Sequence, residues 1–335
     1  MDWTNRYNLP QPVVALISEN LYDSKRQAQL EDYCQANALD PKAIVHFSAS
    51  DLIRPPRMRA LLKRYGGKIV KDVSQEIFRI LGQAIHYFLR EAAILGKLDS
   101  QGYKAEERLF FHMMVNGQMV VISGEPDIVS PEGRIQDYKT VAVYSWIKGA
   151  KLEWEQQTNI YAFLRDSKGL QTKGLDICFI LRDWNLNETV QEGYPQAGAQ
   201  MQEVPLWSTK QQLEYITERV RLHLQAEGQF DDELGECTSE EMWEKPDCWA
   251  VIRDGLQRAA KVFSEDVSPT ARDEAFKDQD DRNTRLKKGE KPYVVQHRPG
   301  ERTRCTRFCD VKGYCSQYNE YVAAAFRGKP EEVSR

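Results

Sequence analysis

The sequence predicts an α/β protein in which helices pack on a mostly antiparallel sheet. Three observations carry this expectation. Apolar residues recur at helical spacing before residue 95, β-branched runs fill residues 105–141, and helices and strands alternate again to about residue 224. With 335 residues, 41% of them hydrophobic, the chain can build one large core with appendages or two small domains.

The elements follow in order. Residues 11–35 read as helical, with Val13, Leu16, Ile17 and Leu21 on an apolar stripe. Phe47 to Leu52 reads as a strand end feeding a serine-capped helix, and Arg57 to Tyr65 as a basic helix stopped by Gly66-Gly67. Residues 72–95 give a stronger helix, with Ile77, Ile80, Leu81, Ile85, Phe88 and Leu89 at helical spacing and His86 among them. Asn116-Gly117 marks a hairpin. Glu153 to Arg165 reads as a helix, Leu175 to Leu181 and Val204 to Trp207 as strands, and Ser208 or Thr209 as the cap of a helix to about Leu224. Beyond residue 228 the chain turns acidic, with a helix expected around Val251, Leu256, Ala259, Ala260 and Val262 and a polar linker over 264–291.

One stretch concentrates chemistry. Asp127-Ile128-Val129 and Arg134 to Tyr138 alternate as strands about a Ser130-Pro131-Glu132-Gly133 turn, which brings Asp127 near Asp137. Paired carboxylates are hard oxygen ligands suited to Mg²⁺ or Mn²⁺. Lys139, two residues beyond Asp137, shares its face. Metal, carboxylates and lysine together suit phosphodiester hydrolysis.

Other residues take up the same order. Gly82 to His86 on a helix precedes Glu106-Glu107-Arg108-Leu109 on a strand, then Gly124-Glu125-Pro126-Asp127, Asp137-Tyr138-Lys139-Thr140, and Gln157 to Tyr161 on a helix. This succession resembles the PD-(D/E)XK nuclease superfamily in its RecB-like branch, which includes helicase–nuclease domains, CRISPR-associated exonucleases and phage-encoded nucleases. The resemblance implies a restriction-endonuclease-like core, a mixed central sheet flanked by helices, over residues 71–227. A helical N-terminal region (1–70) would pack on it, and a C-terminal extension (228–335) would carry a cysteine cluster. It further implies His86, Asp127, Asp137 and the Tyr138 carbonyl as metal ligands, and Lys139 as the group that orients or deprotonates water. Gln157 and Tyr161 would organise the site and contact DNA, and either Glu106 or Glu107 would match the family's strand glutamate.

Seven cysteines in an apparently cytosolic chain argue for metal or cluster ligation over a disulfide framework. Cys305, Cys309 and Cys315 sit among arginine, aspartate and lysine, as soft ligands for zinc or an iron–sulfur cluster. The family resemblance implies a [4Fe–4S] cluster held by three C-terminal cysteines and one earlier one. Here the first gap is three residues where the family commonly shows two, and the family's usual early position, near Arg54 to Arg57, has no cysteine. Cys237 is the first choice for the fourth ligand, with Cys248, Cys34 and His297 next; His297 would favour zinc. Cys178 reads as strand core. Arg302, Arg304 and Arg307 would then meet phosphates.

A net charge of −4 excludes a basic nucleic-acid coat, no P-loop motif supports a built-in motor, and no apolar run approaches a membrane span. Met1 to Arg6 lack a signal-peptide pattern, so a cytoplasmic location is expected. The expectation is a metal-dependent DNA nuclease, an exonuclease on ends or single strands in recombination, repair or phage DNA processing, serving a separate helicase or recombinase. The rival is a non-catalytic DNA-binding or recombination-accessory protein on the same fold.

Overall fold

The alternating runs between residues 109 and 141 fold as strands, but they divide between two sheets. In the computed structural model, which describes residues 1–18 and 23–327, the chain forms two compact units, Met1–Phe230 and Asp231–Arg335. The first unit opens with β1 (Asp2–Thr4), α1 (Gln11–Ser18), α2 (Asp23–Ala36), β2 (Val45–Ser48), α3 (Ala49–Leu52), α4 (Pro56–Tyr65), β3 (Val70–Asp72) and α5 (Ile77–Leu95). Five strands follow: β4 (Lys104–Ala105), β5 (Leu109–Val115), β6 (Gln118–Gly124), β7 (Ile128–Val129) and β8 (Arg134–Val141). The unit closes with α6 (Val143–Ile147), α7 (Leu152–Asp166), β9 (Gly174–Leu181), β10 (Ala199–Val204) and α8 (Thr209–Gly228).

Local chemistry sets the boundaries. Ser48 caps α3 through a reciprocal box with Asp51. Asn116 and Gly117, at φ 51° and 79°, make the two-residue turn joining β5 to β6. Gly133, at φ 85°, closes the Ser130 turn by donating to the Ser130 carbonyl at 2.9 Å. A Cβ there would also stand 2.7 Å from the Gln171 carbonyl.

The fold is mixed α/β. One sheet runs β10-β9-β8-β7-β4 and another β2-β6-β5, with parallel pairing at β8–β9 and β2–β6 and antiparallel pairing elsewhere in both. Most pairings are antiparallel, as the sequence leads one to expect, and the two parallel junctions make both sheets mixed. A parallel neighbour requires a crossover, and α7 lies on the one between β8 and β9. Phe47, Ile122, Ile135, Ile160, Leu164, Ile177 and Phe179 form the fully buried centre of the core. Each such side chain contributes about 1.5–3 kcal/mol by leaving water.

Several elements depart from expectation. The helix expected over 11–35 is two helices, and Leu21 of its stripe lies outside the described residues. The strand expected at Val204 to Trp207 ends at Val204, where Pro205 cannot donate to a ladder. Helix α5 forms, but much of its apolar stripe faces outward.

The second unit contains α9 (Ser239–Met242), β11 (Glu244–Lys245), β12 (Cys248–Arg253), β13 (Ala259–Ser264), α10 (Ala271–Thr284), β14 (Tyr293–Arg298), β15 (Glu301–Arg302) and α11 (Ser316–Arg327). The helix expected around Val251 to Val262 is instead the antiparallel pair β12–β13, turned at Asp254-Gly255, where Gly255 has φ 78°. The expected linker over 264–291 holds α10. No helix among the described residues is long and apolar enough to cross a membrane.

Candidate active site

The β7–β8 ladder pairs Ile128 with Gln136 and Val129 with Ile135, so Asp127, one residue before β7, stands opposite Asp137. Asp127 Oδ2 accepts from the Tyr138 amide at 2.7 Å, and Asp127 Oδ1 meets His86 Nδ1 at 2.9 Å. A carboxylate only accepts, so His86 Nδ1 carries the proton. Burial works to lower the His86 pKa, but the hydrogen bond and charge of Asp127 outweigh it and the net shift is upward. A strand residue's N–H and C=O point to the same edge, so the Tyr138 carbonyl shares the side of the strand that faces Asp127.

Asp137, 2% exposed, lies below these groups. Its Oδ2 meets Lys139 Nζ at 2.5 Å without hydrogen-bond geometry. Burial pushes its carboxyl up to about 6, with the neighbouring Asp127 adding to the rise and Lys139 opposing it. Lys139 Nζ also donates to Gln157 Oε1 at 3.0 Å, and Gln157 Nε2 donates to the Tyr161 hydroxyl at 2.6 Å. The ammonium can only donate, which fixes the orientation of the Gln157 amide. Gln157 and Tyr161 are one turn apart on α7 and thus on one face. Burial, then the charges of Asp137 and Asp127, raise the Tyr161 hydroxyl pKa. Gly124 permits this packing, because a Cβ there would stand 2.7 Å from both Tyr161 Cδ1 and Leu164 Cδ1.

Two further carboxylates complete the group. Glu106 takes the inward position and Glu107 is exposed. Glu106 lies in a bend after β4, at φ 49°, and not on the strand expected for it; its amide donates to the Asp127 carbonyl at 3.2 Å. Glu106 pairs with Arg90 at 3.3 Å, and Glu125 pairs with Arg108. Burial raises the Glu106 pKa against the pull of Arg90. The site thus holds four carboxylates, each matched by one basic side chain: Asp127–His86, Asp137–Lys139, Glu106–Arg90 and Glu125–Arg108. Sequence reasoning passed over Arg90 and gave no role to Glu125. The spacing Gly82, His86, Arg90 puts all three on one helix face and was the available signal for Arg90.

His86, Arg90, Glu106, Glu125, Asp127 and Tyr161 line a cleft of about 1180 Å³. The same cleft is lined by His46, whose Nε2 meets Ser123 Oγ at 2.9 Å, and by Ser48 and Asp51 of the α3 cap. Trp146 and Trp154 pack on the core, and Tyr144 is exposed.

In the second unit, Cys305, Cys309 and Cys315 lie close together. Burial, with the other two thiols adding to it, pushes Cys309 up to about 11; burial and Cys315 raise Cys305. Gln317, two residues past Cys315, clamps the Cys237 backbone, donating to its carbonyl and accepting from its amide, both at 2.9 Å. Cys34 belongs instead to a buried apolar cluster with Leu30, Phe110 and Val121. His297 is bound to Asp247 at 2.6 Å and stacks on Trp249. Cys178, read as strand core, is half-buried on β9 opposite Tyr138. Arginines expected to meet phosphates are engaged within the unit: Arg302 with Glu244, Arg307 with Glu301, and Arg304 on the Trp243 ring. Among the described residues no three His, Cys, Asp or Glu side chains stand in metal-holding geometry.

No family model matches the chain, and no curated protein is significantly similar to it. Among solved structures, one described as "Crystal structure of SSO0001" is similar over 62% of this chain and 90% of its own, at 16% identity and a TM-score of 0.40.

Proposed function

We propose that the first unit is a metal-dependent DNA nuclease of the PD-(D/E)XK type, RecB-like branch, acting as an exonuclease on DNA ends or single strands. The observation that carries this reading is the continuous chain Asp137–Lys139–Gln157–Tyr161, set beside Asp127 and His86 of the cleft lining. A buried lysine–aspartate pair is an expensive way to stabilise a fold, and groups of this kind are retained where they serve chemistry.

The donor set fits a hard divalent cation. His86 Nδ1 and Asp127 Oδ1 are 2.9 Å apart, and the buried Asp137 Oδ2 lacks a hydrogen bond. His86, Asp127, Asp137 and the Tyr138 carbonyl would hold Mg²⁺ or Mn²⁺, which when bound supplies charge to a phosphoryl oxygen and acidifies a coordinated water. Lys139, fixed by Gln157, holds a proton-bearing cation beside Asp137 and is placed to orient water or to stabilise charge on the phosphate. Gln157 and Tyr161 keep the ammonium aimed.

In the second unit, Cys237, Cys305, Cys309 and Cys315 would hold a [4Fe–4S] cluster, with zinc the alternative. The closeness of Cys305 and Cys315 to Cys309 and the Gln317 clamp on Cys237 support that set.

The deciding experiment incubates end-labelled single- and double-stranded DNA with the full chain and Mn²⁺ or Mg²⁺, beside Asp137→Ala and Lys139→Ala. The reading expects metal-dependent release of label that falls by about 10²–10³-fold in each variant. Cleavage unchanged in both variants would overturn it, and DNA binding without cleavage by the wild type would move the protein to the accessory class.

A further inference from the structure

Five Lys and Arg side chains line the cleft, Lys25, Arg26, Arg54, Arg90 and Arg108, and they are not used alike. Arg108 is spent inside the fold: its side chain is 8% exposed and donates to Ser123 Oγ and to Glu125. The Arg54 and Arg90 side chains are 35% and 33% exposed, and among the described residues neither donates a hydrogen bond. Arg54 stands 3.8 Å from Asp51 and Arg90 3.3 Å from Glu106, both outside hydrogen-bond geometry. Their backbones are fixed all the same. Helix α5 carries Arg90, and the Arg54 carbonyl accepts from Arg219 at 2.7 Å.

Neither carboxylate accounts for its arginine. Asp51 already accepts from the Ser48 amide at 3.0 Å and the Ser48 hydroxyl at 2.7 Å. An ion pair this open to water and without a hydrogen bond contributes little to stability. Two guanidiniums are therefore held in the cleft with their donors unspent. Arg90 also shares a small recess with His86, Glu106, Asp127 and Tyr138. It lies one turn beyond His86, and long side chains on a helix lean back toward its N-terminus, here toward His86.

We infer that Arg90 and Arg54 are phosphate contacts of one nucleic-acid strand, Arg90 at the phosphate to be cleaved and Arg54 at another phosphate of the same backbone. The inference rests on the reaction proposed for the cleft. A guanidinium fork matches two phosphate oxygens at once. A phosphodiester strand repeats its charge, so a single molecule can meet both arginines. Lys25 and Arg26, exposed on α2, add to the attraction. At the phosphate to be cleaved, the Arg90 fork donates to oxygens whose charge grows in the transition state.

Binding of a fluorescein-labelled oligothymidylate by the full chain, followed by anisotropy in chelator over a series of KCl concentrations, reads these contacts without cleavage. Arg54→Ala and Arg90→Ala should each weaken binding by about tenfold and flatten the slope of log affinity against log salt by about 0.7, with unchanged melting. The double variant should flatten it by about 1.4. Arg182→Ala, which removes a guanidinium stacked on Phe78 away from the cleft lining, should leave the slope as it is. Arg90→Lys should keep the slope, yet cleave about tenfold more slowly with Mn²⁺ because the fork is lost.

An unchanged slope in Arg90→Ala overturns the inference even where cleavage falls, since the arginine then acts only through Glu106. An unchanged slope in Arg54→Ala overturns the second contact, and a wild type that does not bind the oligonucleotide overturns both. A wild type that shows these slopes and cleaves no DNA refutes the nuclease reading and leaves the phosphate contacts standing.

Discussion

His86 Nδ1 donates to Asp127 Oδ1 across 2.9 Å, so a proton occupies the space between two atoms that would both face a bound cation. Under the proposed chemistry this makes proton release part of metal binding. Mn²⁺ binding measured by titration calorimetry near pH 7 should show an apparent enthalpy that depends on the ionisation heat of the buffer. His86→Ala should abolish most of that dependence and weaken binding by about 10–100-fold. A buffer-independent enthalpy in the wild type would refute the displacement.

Asp137 governs a second effect. Its carboxyl is pushed up to about 6 from an ordinary 3.8 by burial. The folded, metal-free protein therefore holds this proton longer than the unfolded chain does, and stability falls as pH rises between those two values. His86 acts in the same sense: its pKa is raised, so its contribution is present below 6.5 and is lost as pH rises through the raised value. Asp137→Asn should remove cleavage and raise the metal-free Tm at pH 7.5 by about 2–5 °C. The gain over wild type should grow from pH 4 to pH 6 and then level, as read by thermal melts in chelator. A variant less stable than wild type at pH 7.5 would show that Lys139 more than offsets the burial of the charge.

Gly124 sets how closely β6 approaches α7. Gly124→Ala should cost about 1–3 kcal/mol in urea melts and displace Tyr161 from Gln157. Cleavage should fall further than the stability change alone explains, because Lys139 loses its second anchor. An alanine variant with wild-type melting and activity would contradict the close packing.

The cysteine assignment separates by substitution. Cys309→Ser and Cys237→Ser should empty the purified protein of iron and acid-labile sulfide, or of zinc in the alternative. Cys178→Ser and Cys248→Ser should keep the full content. Retention of metal by Cys237→Ser would move the fourth ligand elsewhere.

Much of the site was legible because short-range chemistry dictates it. Strand alternation alone put Lys139 beside Asp137, Asn116-Gly117 fixed the β5–β6 turn, and Ser48 announced its helix. The failures share a cause. Periodicity reports that α5 is an amphipathic helix, but nothing local reports whether its apolar stripe is covered. Val251, Ala259 and Val262 fit a helical spacing as well as they fit two strands, and only the Asp254-Gly255 turn separates the two. The choice of Glu106 over Glu107 depends on the left-handed backbone at Glu106, which strand alternation cannot express. Parallel pairing of β8 with β9 depends on a partner some forty residues away.

That last pairing has a kinetic consequence. β8 meets β7 through a four-residue turn, but it meets β9 only after α7 has crossed over. Contacts of long sequence separation form late, since the closure of the intervening chain must come first. Gln157 and Tyr161 lie on that crossover and Asp137 is buried beneath it. A growing chain that ends before residue 181 therefore carries both aspartates and the lysine without the frame that aims them, and the charge constellation matures only when the final parallel strand locks into register.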